Sequence, residues 1–166
     1  MKYSEYSFID IAFDGVFNRN NLIQATKVKP YAKEWKEKHK KNYVDCYKTY
    51  FRYPHEMLEH FKIKNTVSGY TGSIYSDFLP IDVDSKDLAE SLQRTKEILL
   101  HLQSQYDEDI KTIRLFFSGF KGFRLEIFSE LFGFEPSPNL HHIFRTLVKK
   151  LLPDGITVDE SIYDNK

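Results

Sequence analysis

The stretch "LPIDVDS", residues 79–85, limits the fold more than any other part of the chain. It reads as a strand, and side chains alternate along a strand. Asp82 and Asp84 then share one face, about 7 Å apart at the Cα level, while Ile81 and Val83 face the other way. Strand interiors disfavour aspartate. Two like charges beside a core are normally neutralised by protonation or by a cation. Either a cation reaches this face, or both side chains reach solvent at the strand's end with Asp84 capping the next helix beside Ser85.

The surrounding pattern predicts an α+β domain. "KPYAKEWKEKHKK" reads as a helix opened by Pro30. "YVDCYKTYFRY" alternates like a strand, and a short helix follows Pro54 through "HEMLEHF". After "FLPIDVD", Ser85 is a good N-cap with Asp87 in the first turn. Leu88, Leu92, Thr95, Leu99 and Leu102 recur at helical spacing, which predicts an amphipathic helix over residues 86–105. "IRLFFSGFKGFRLEIF" reads as a hairpin, "NLHHIFRTLVKKLL" as another helix, and "ITVDESIYDNK" as a strand or turn.

A length of 166 residues fits one domain, and 41% hydrophobic residues with 14 Phe and 11 Tyr fit an ordered core. The single cysteine, Cys46, excludes an internal disulfide and a multi-cysteine zinc site. It is expected to be a small core residue in a reduced, cytoplasmic setting. No apolar run suits a signal peptide or a membrane span, so no membrane partner is expected.

Formal charge is zero, yet from Lys27 to Lys64 there are eleven Lys/Arg against five Asp/Glu. Acidic residues gather later in the chain. A basic region beside an acidic one suits a protein that grips a polyanion and holds metal ions nearby. A solvated, charge-laced surface accounts for the same pattern. Lys36 and Lys40 on the basic helix, with Arg52 beyond it, are the candidates for nucleic-acid contact.

A hard divalent ion such as Mg²⁺ or Mn²⁺ takes oxygen ligands and is commonly held by one or two carboxylates plus substrate phosphates. Asp82 and Asp84 suit such a site. In "SGFKGFRLEI", residues 118–127, Gly119 and Gly122 permit a turn whose N–H groups point at an anion. Ser118 and Lys121 add a hydroxyl and a mobile charge. Arg124 shares a strand face with Gly122 and Glu126, opposite Phe123, Leu125 and Ile127. An ordinary glycine hairpin with incidental charges is the plainer reading of this stretch.

Taken together, these segments resemble the archaeo-eukaryotic primase-polymerase superfamily, in its bacterial branch. "PIDVDS" matches that family's hydrophobic-Asp-hydrophobic-Asp strand. Ser118, Gly119, Gly122, Phe123, Arg124 and Leu125 match its Ser-Gly-x-x-Gly-Phe-His-hydrophobic hairpin, with Arg124 in place of the histidine. "TVDESIYD" supplies Asp159 as the third acidic position, and "VSGYTGSIYSDFL" is also similar to the bacterial members. The resemblance runs from about residue 50 onward. It implies an RRM-like mixed or antiparallel sheet with flanking helices, joined to an N-terminal α/β portion.

The activity it implies is that of a DNA primase or DNA-directed polymerase, a template-dependent nucleotidyl transfer by a two-metal mechanism. Asp82, Asp84 and Asp159 would hold Mg²⁺ or Mn²⁺, and Ser118, Gly119, Lys121, Gly122 and Arg124 would hold a nucleoside triphosphate against a single-stranded DNA template. In the family, strand sequence with a basic residue follows the third acid, whereas Asp159 is seven residues from Lys166. The expectation is a single catalytic domain over residues 1–166, incomplete at its C-terminus. A further segment or second polypeptide would complete it, and the chain alone would be weak or inactive. The alternatives are a catalytically impaired subunit that binds only nucleotides or nucleic acid, and an unrelated α+β interaction module.

Overall fold

Two runs of alternating hydrophobic residues, "FLPIDVD" at the edge and "GFRLEIF" at the centre, pair antiparallel in register in a three-stranded sheet. This is seen in a computed structural model that describes residues 3–15, 17–41, 45–106, 112–118 and 121–164. Among the described residues two sheets, each three-stranded and antiparallel, and four α-helices make the fold α+β. The chain divides into two compact units. One runs up to Ser76 and includes Pro136–Pro138; the other comprises Asp77–Glu135 and the segment from Asn139 onward.

In the first unit, β1 (Phe8–Phe13) lies between β2 (Asn21–Gln24) and β3 (Cys46–Lys48). All six residues of β1 are buried. Ile9, Ile11 and Phe13 pack against Tyr31, Ala32 and Trp35 of α1 (Val28–His39). Asp10 is buried within β1 as well. Burial raises its carboxyl above the usual range, opposed by the Asn21 N–H, which donates to it at 2.7 Å, and by the charge of Arg19. Cys46, expected in the core, is exposed on β3. A short helix, α2 (Met57–Lys64), lies where the sequence places one after Pro54.

The second unit begins with β4 (Phe78–Asp84) and α3 (Leu88–Tyr106). The β5 (Arg114–Phe117) and β6 (Gly122–Phe128) hairpin follows, then α4 (Leu140–Leu151). Strand order is β4-β6-β5. After α4 the chain returns to the free edge of β4, where the Asp159 N–H donates to the Asp82 carbonyl at 3.0 Å. Strand, helix, hairpin, helix and returning segment follow the split β-α-β order, with the last strand reduced to that one contact. It leads into a 3₁₀ turn over Glu160–Tyr163.

That free edge explains a proline inside a strand. Pro80 has no N–H to give, which an edge tolerates. Its carbonyl accepts from the Tyr163 hydroxyl, and Tyr163 is fully buried. The terminal turn thus closes β4 through two carbonyls, those of Pro80 and Asp82.

Helix α3 keeps the expected stripe at Thr95 and Leu102 and departs from it at its start. Its buried residues are Ser91, Thr95, Ile98 and Leu102, while Leu88 and Leu92 are 41% and 38% exposed. Both buried hydroxyls are satisfied: Ser91 donates to the Lys121 carbonyl at 2.9 Å, and Thr95 to the Ser91 carbonyl at 2.7 Å. The cap also shifts. Asp87, rather than Ser85, accepts the first-turn N–H, from Ala89 at 2.8 Å, while the Ser85 hydroxyl donates to Glu90 and accepts from the Asp87 N–H. No helix among the described residues is long and apolar enough to cross a membrane.

Replacing Tyr163 with Phe strands the buried Pro80 carbonyl, at a cost of about 1–3 kcal/mol. Urea unfolding of the two forms should show the lower midpoint with an unchanged slope.

Candidate functional site

Register decides what faces the two aspartates. Along β4 and β6, Leu79 lies opposite Ile127, Ile81 opposite Leu125, and Val83 opposite Phe123, all on the core face. On the other face Asp82 lies opposite Arg124, and Asp84 opposite Gly122. The alternation read from the sequence is therefore present.

The cation beside Asp82 is Arg124. Its Nε donates to Asp82 Oδ1 at 2.6 Å and its second nitrogen to Oδ2 at 2.9 Å, a bidentate fork. The Asp82 side chain is 16% exposed and that of Arg124 39%. Asp84 has its own partner, Lys121 Nζ at 3.3 Å from Oδ2, on a side chain 56% exposed. Two carboxylates and two cations thus alternate across one end of the sheet. Farther along the same face, the Arg114 guanidinium covers the Phe78 ring at 4.4 Å, and Phe78 packs on Phe128. Sequence reading did not single out that stack.

Gly122 has a role different from the one expected. Its φ is not in the left-handed region. The constraint is steric, because a Cβ there would collide with Asp84 Oδ1 and the Val83 carbonyl oxygen. Its N–H does not aim at an anion either. It donates to Ser118 Oγ at 3.0 Å, and its carbonyl accepts from the Ser118 N–H at 2.9 Å, closing the hairpin. Gly119 lies outside the described residues.

The backbone of this corner is fixed from two sides. The Lys121 carbonyl accepts from the Ser85 N–H at 3.3 Å and from the Ser91 hydroxyl at 2.9 Å. The hairpin tip is thereby tied to the end of β4 and the start of α3, while the lysine side chain extends outward. Ser91 is a positioning residue that no motif in the sequence marks.

Asp159 reaches the same corner by the backbone contact to Asp82. Its Oδ1 accepts from the Ser161 N–H at 2.9 Å, capping the terminal turn. Arg145 and Lys149 of α4 hold that turn through Glu160 and Asp164. Lys36, Lys40 and Arg52 belong to the first unit. Lys36 and Lys40 line a shallow groove along α1 with Lys29, Lys33 and Lys41. Arg52 pairs through its backbone with Tyr75.

Three carboxylates on adjoining backbone positions are hard oxygen donors, the chemistry Mg²⁺ and Mn²⁺ take. Gly122 lets the Asp84 carboxylate lie directly over the β6 backbone, where any Cβ would collide with it. Donor type and backbone placement fit such an ion. The side chains themselves are turned to protein partners, and among the described residues no group of three or more His, Cys, Asp or Glu is arranged to hold one.

Because the obstruction at Gly122 includes backbone, Gly122→Ala should be costly. We expect a loss of about 1–3 kcal/mol in denaturant unfolding, with weakened protection of the Ser118 and Gly122 amides in hydrogen exchange.

No protein-family model, no curated protein and no solved structure matches the chain.

Proposed function

We propose that the second unit is a nucleotidyl-transfer module of the primase-polymerase type, joining nucleotides on a DNA template. One observation carries the reading. Residues far apart in sequence, Asp82 and Asp84, Ser118, Lys121, Gly122 and Arg124, and Asp159, converge at one corner of one sheet. They are the positions through which the sequence resembles that superfamily.

The chemistry expected there is attack of a strand's 3′-hydroxyl oxygen on the α-phosphorus of a nucleoside triphosphate. The new O–P bond forms as the bond to the β-phosphate's bridging oxygen breaks, the hydroxyl proton is lost, and pyrophosphate leaves. Divalent ions held by Asp82, Asp84 and Asp159 would lower the pKa of the hydroxyl and stabilise the leaving group. Lys121 and Arg124 supply positive charge beside the two aspartates, and arginine's fork suits phosphate oxygens. Ser118 keeps its hydroxyl hydrogen available, since its oxygen is the acceptor toward Gly122. The fixed Lys121 carbonyl holds this hairpin in place before substrate arrives, so less ordering remains for the bound state.

A second reading is favoured by the fork on Asp82. Arginine stays charged and is longer than the histidine of the family pattern. As long as it grips Asp82, the corner binds anions better than it binds metal. In this reading the chain binds nucleotides without joining them.

Primer extension with Mn²⁺ separates the two. Catalysis predicts incorporation that falls by more than about a hundredfold in Asp82→Asn with Asp84→Asn, beyond what loss of a supporting group alone removes. Triphosphate binding with no incorporation, in Mn²⁺ or Mg²⁺, would leave the binding role standing alone.

A further inference from the structure

We infer that Arg124 and Lys121 are exchangeable counter-cations, each holding a site carboxylate until a polyphosphate draws it away, so that triphosphate and divalent metal bind with positive coupling. This rests on the reading just given and adds to it a rule for how the site loads.

Charge balance is the starting point. Asp82 is matched by Arg124 in a two-point fork and Asp84 by Lys121. These two pairs carry two negative and two positive charges before any ligand arrives, and Asp159, held by the Ser161 N–H, adds a third carboxylate at the corner. A divalent cation approaching it meets the repulsion of both protein cations and must displace them to reach carboxylate oxygen. A bare polyphosphate meets two cations that are partly exposed, although partly discharged by the carboxylates they hold.

The architecture permits an exchange. Both cationic side chains are partly exposed, 39% for Arg124 and 56% for Lys121, so their heads can move without opening the core. The backbone beneath them cannot follow. The Lys121 carbonyl is pinned by Ser85 and Ser91, and Gly122 is closed against Asp84 and Ser118. Guanidinium binds phosphate in the same bidentate manner as carboxylate, so moving Arg124 from one to the other preserves its hydrogen bonds.

Once both cations turn to phosphate, Asp82 and Asp84 remain as uncompensated like charges on one strand face. That arrangement demands a cation. Triphosphate should therefore tighten metal binding, and by linkage metal should tighten triphosphate binding by the same factor. A permanent pair of structural salt bridges makes no such link.

The test uses the full chain and equilibrium binding rather than turnover. Mn²⁺ alone is titrated by electron paramagnetic resonance. Inorganic tripolyphosphate is titrated by calorimetry in the presence of a chelator. Exchange predicts opposite signs for one substitution: Arg124→Gln and Lys121→Gln each tighten Mn²⁺ about tenfold and weaken metal-free tripolyphosphate about tenfold, within the usual range of coupling between sites. Lys121 is exposed at the hairpin, so Lys121→Gln reads the effect even if Arg124→Gln unfolds. Unchanged or weaker Mn²⁺ binding in both variants overturns the exchange, while Asp82→Asn still lowering Mn²⁺ affinity leaves the nucleotidyl-transfer reading intact. Mn²⁺ affinity indifferent to Asp82→Asn and Asp84→Asn overturns both.

Discussion

An aspartate and an arginine face each other across two neighbouring strands, and the geometry of the candidate site follows from that pairing. Asp82 is largely withdrawn from water. A carboxylate so placed is costly unless it is hydrogen-bonded and charge-matched. Arg124 supplies both in one fork. Its net contribution to stability is nevertheless small, since an opposed pair across strands is worth about 0.2–1 kcal/mol, and the exposed arginine is screened. The pair matters more for register. A slip of one residue between β4 and β6 would set Asp82 against Phe123 or Leu125 and turn the core face outward. The steric closure of Gly122 on Asp84, two residues along, excludes the same slip independently.

The rest of the second unit keeps that register usable. β4 is an edge strand, and its free carbonyls at Pro80 and Asp82 are taken by Tyr163 and by the Asp159 N–H. A terminal turn of few residues thus protects an edge that could otherwise pair with another chain. It also delivers the third carboxylate. On the other side, α3 approaches through Ser91 and Thr95, whose small side chains and satisfied hydroxyls let the helix lie close to the hairpin tip. Closing the edge and placing Asp159 are therefore one structural event. Positioning Lys121 and seating α3 are likewise joined through the Ser91 hydroxyl.

What the sequence made legible was local. Period-two alternation correctly put Asp82 and Asp84 on one face, and the glycine-bearing turn correctly predicted a hairpin between two strands. Helical spacing places Thr95 and Leu102 on the buried side of α3, where they lie, but also Leu88 and Leu92, which are exposed, and it passes over Ser91. Ser91 and Thr95 are core residues only because their partners, the Lys121 and Ser91 carbonyls, exist in the fold. Gly122 was given a conformational reason, although its actual constraint is Asp84, a residue whose proximity depends on strand pairing. Cys46 was assigned to the core by its usual habit, but a short strand beside β1 leaves it exposed. The fully buried β1, with Asp10 inside it, carried no motif at all.

The same distinction bears on function. That Asp82 needs a cation follows from alternation and desolvation, and is legible in seven residues. Which cation answers depends on the residue directly opposite, 42 positions later in the chain. Sequence reasoning supplied a metal ion; the folded chain supplies an arginine and a lysine. These answers compete for the same carboxylate oxygens, and the competition is settled by whatever else attracts the two side chains. A polyphosphate attracts both. Under the proposed exchange, the site's charge would be a shared quantity, passed among carboxylate, cation and anion, with the pinned hairpin backbone setting the distances over which it can pass.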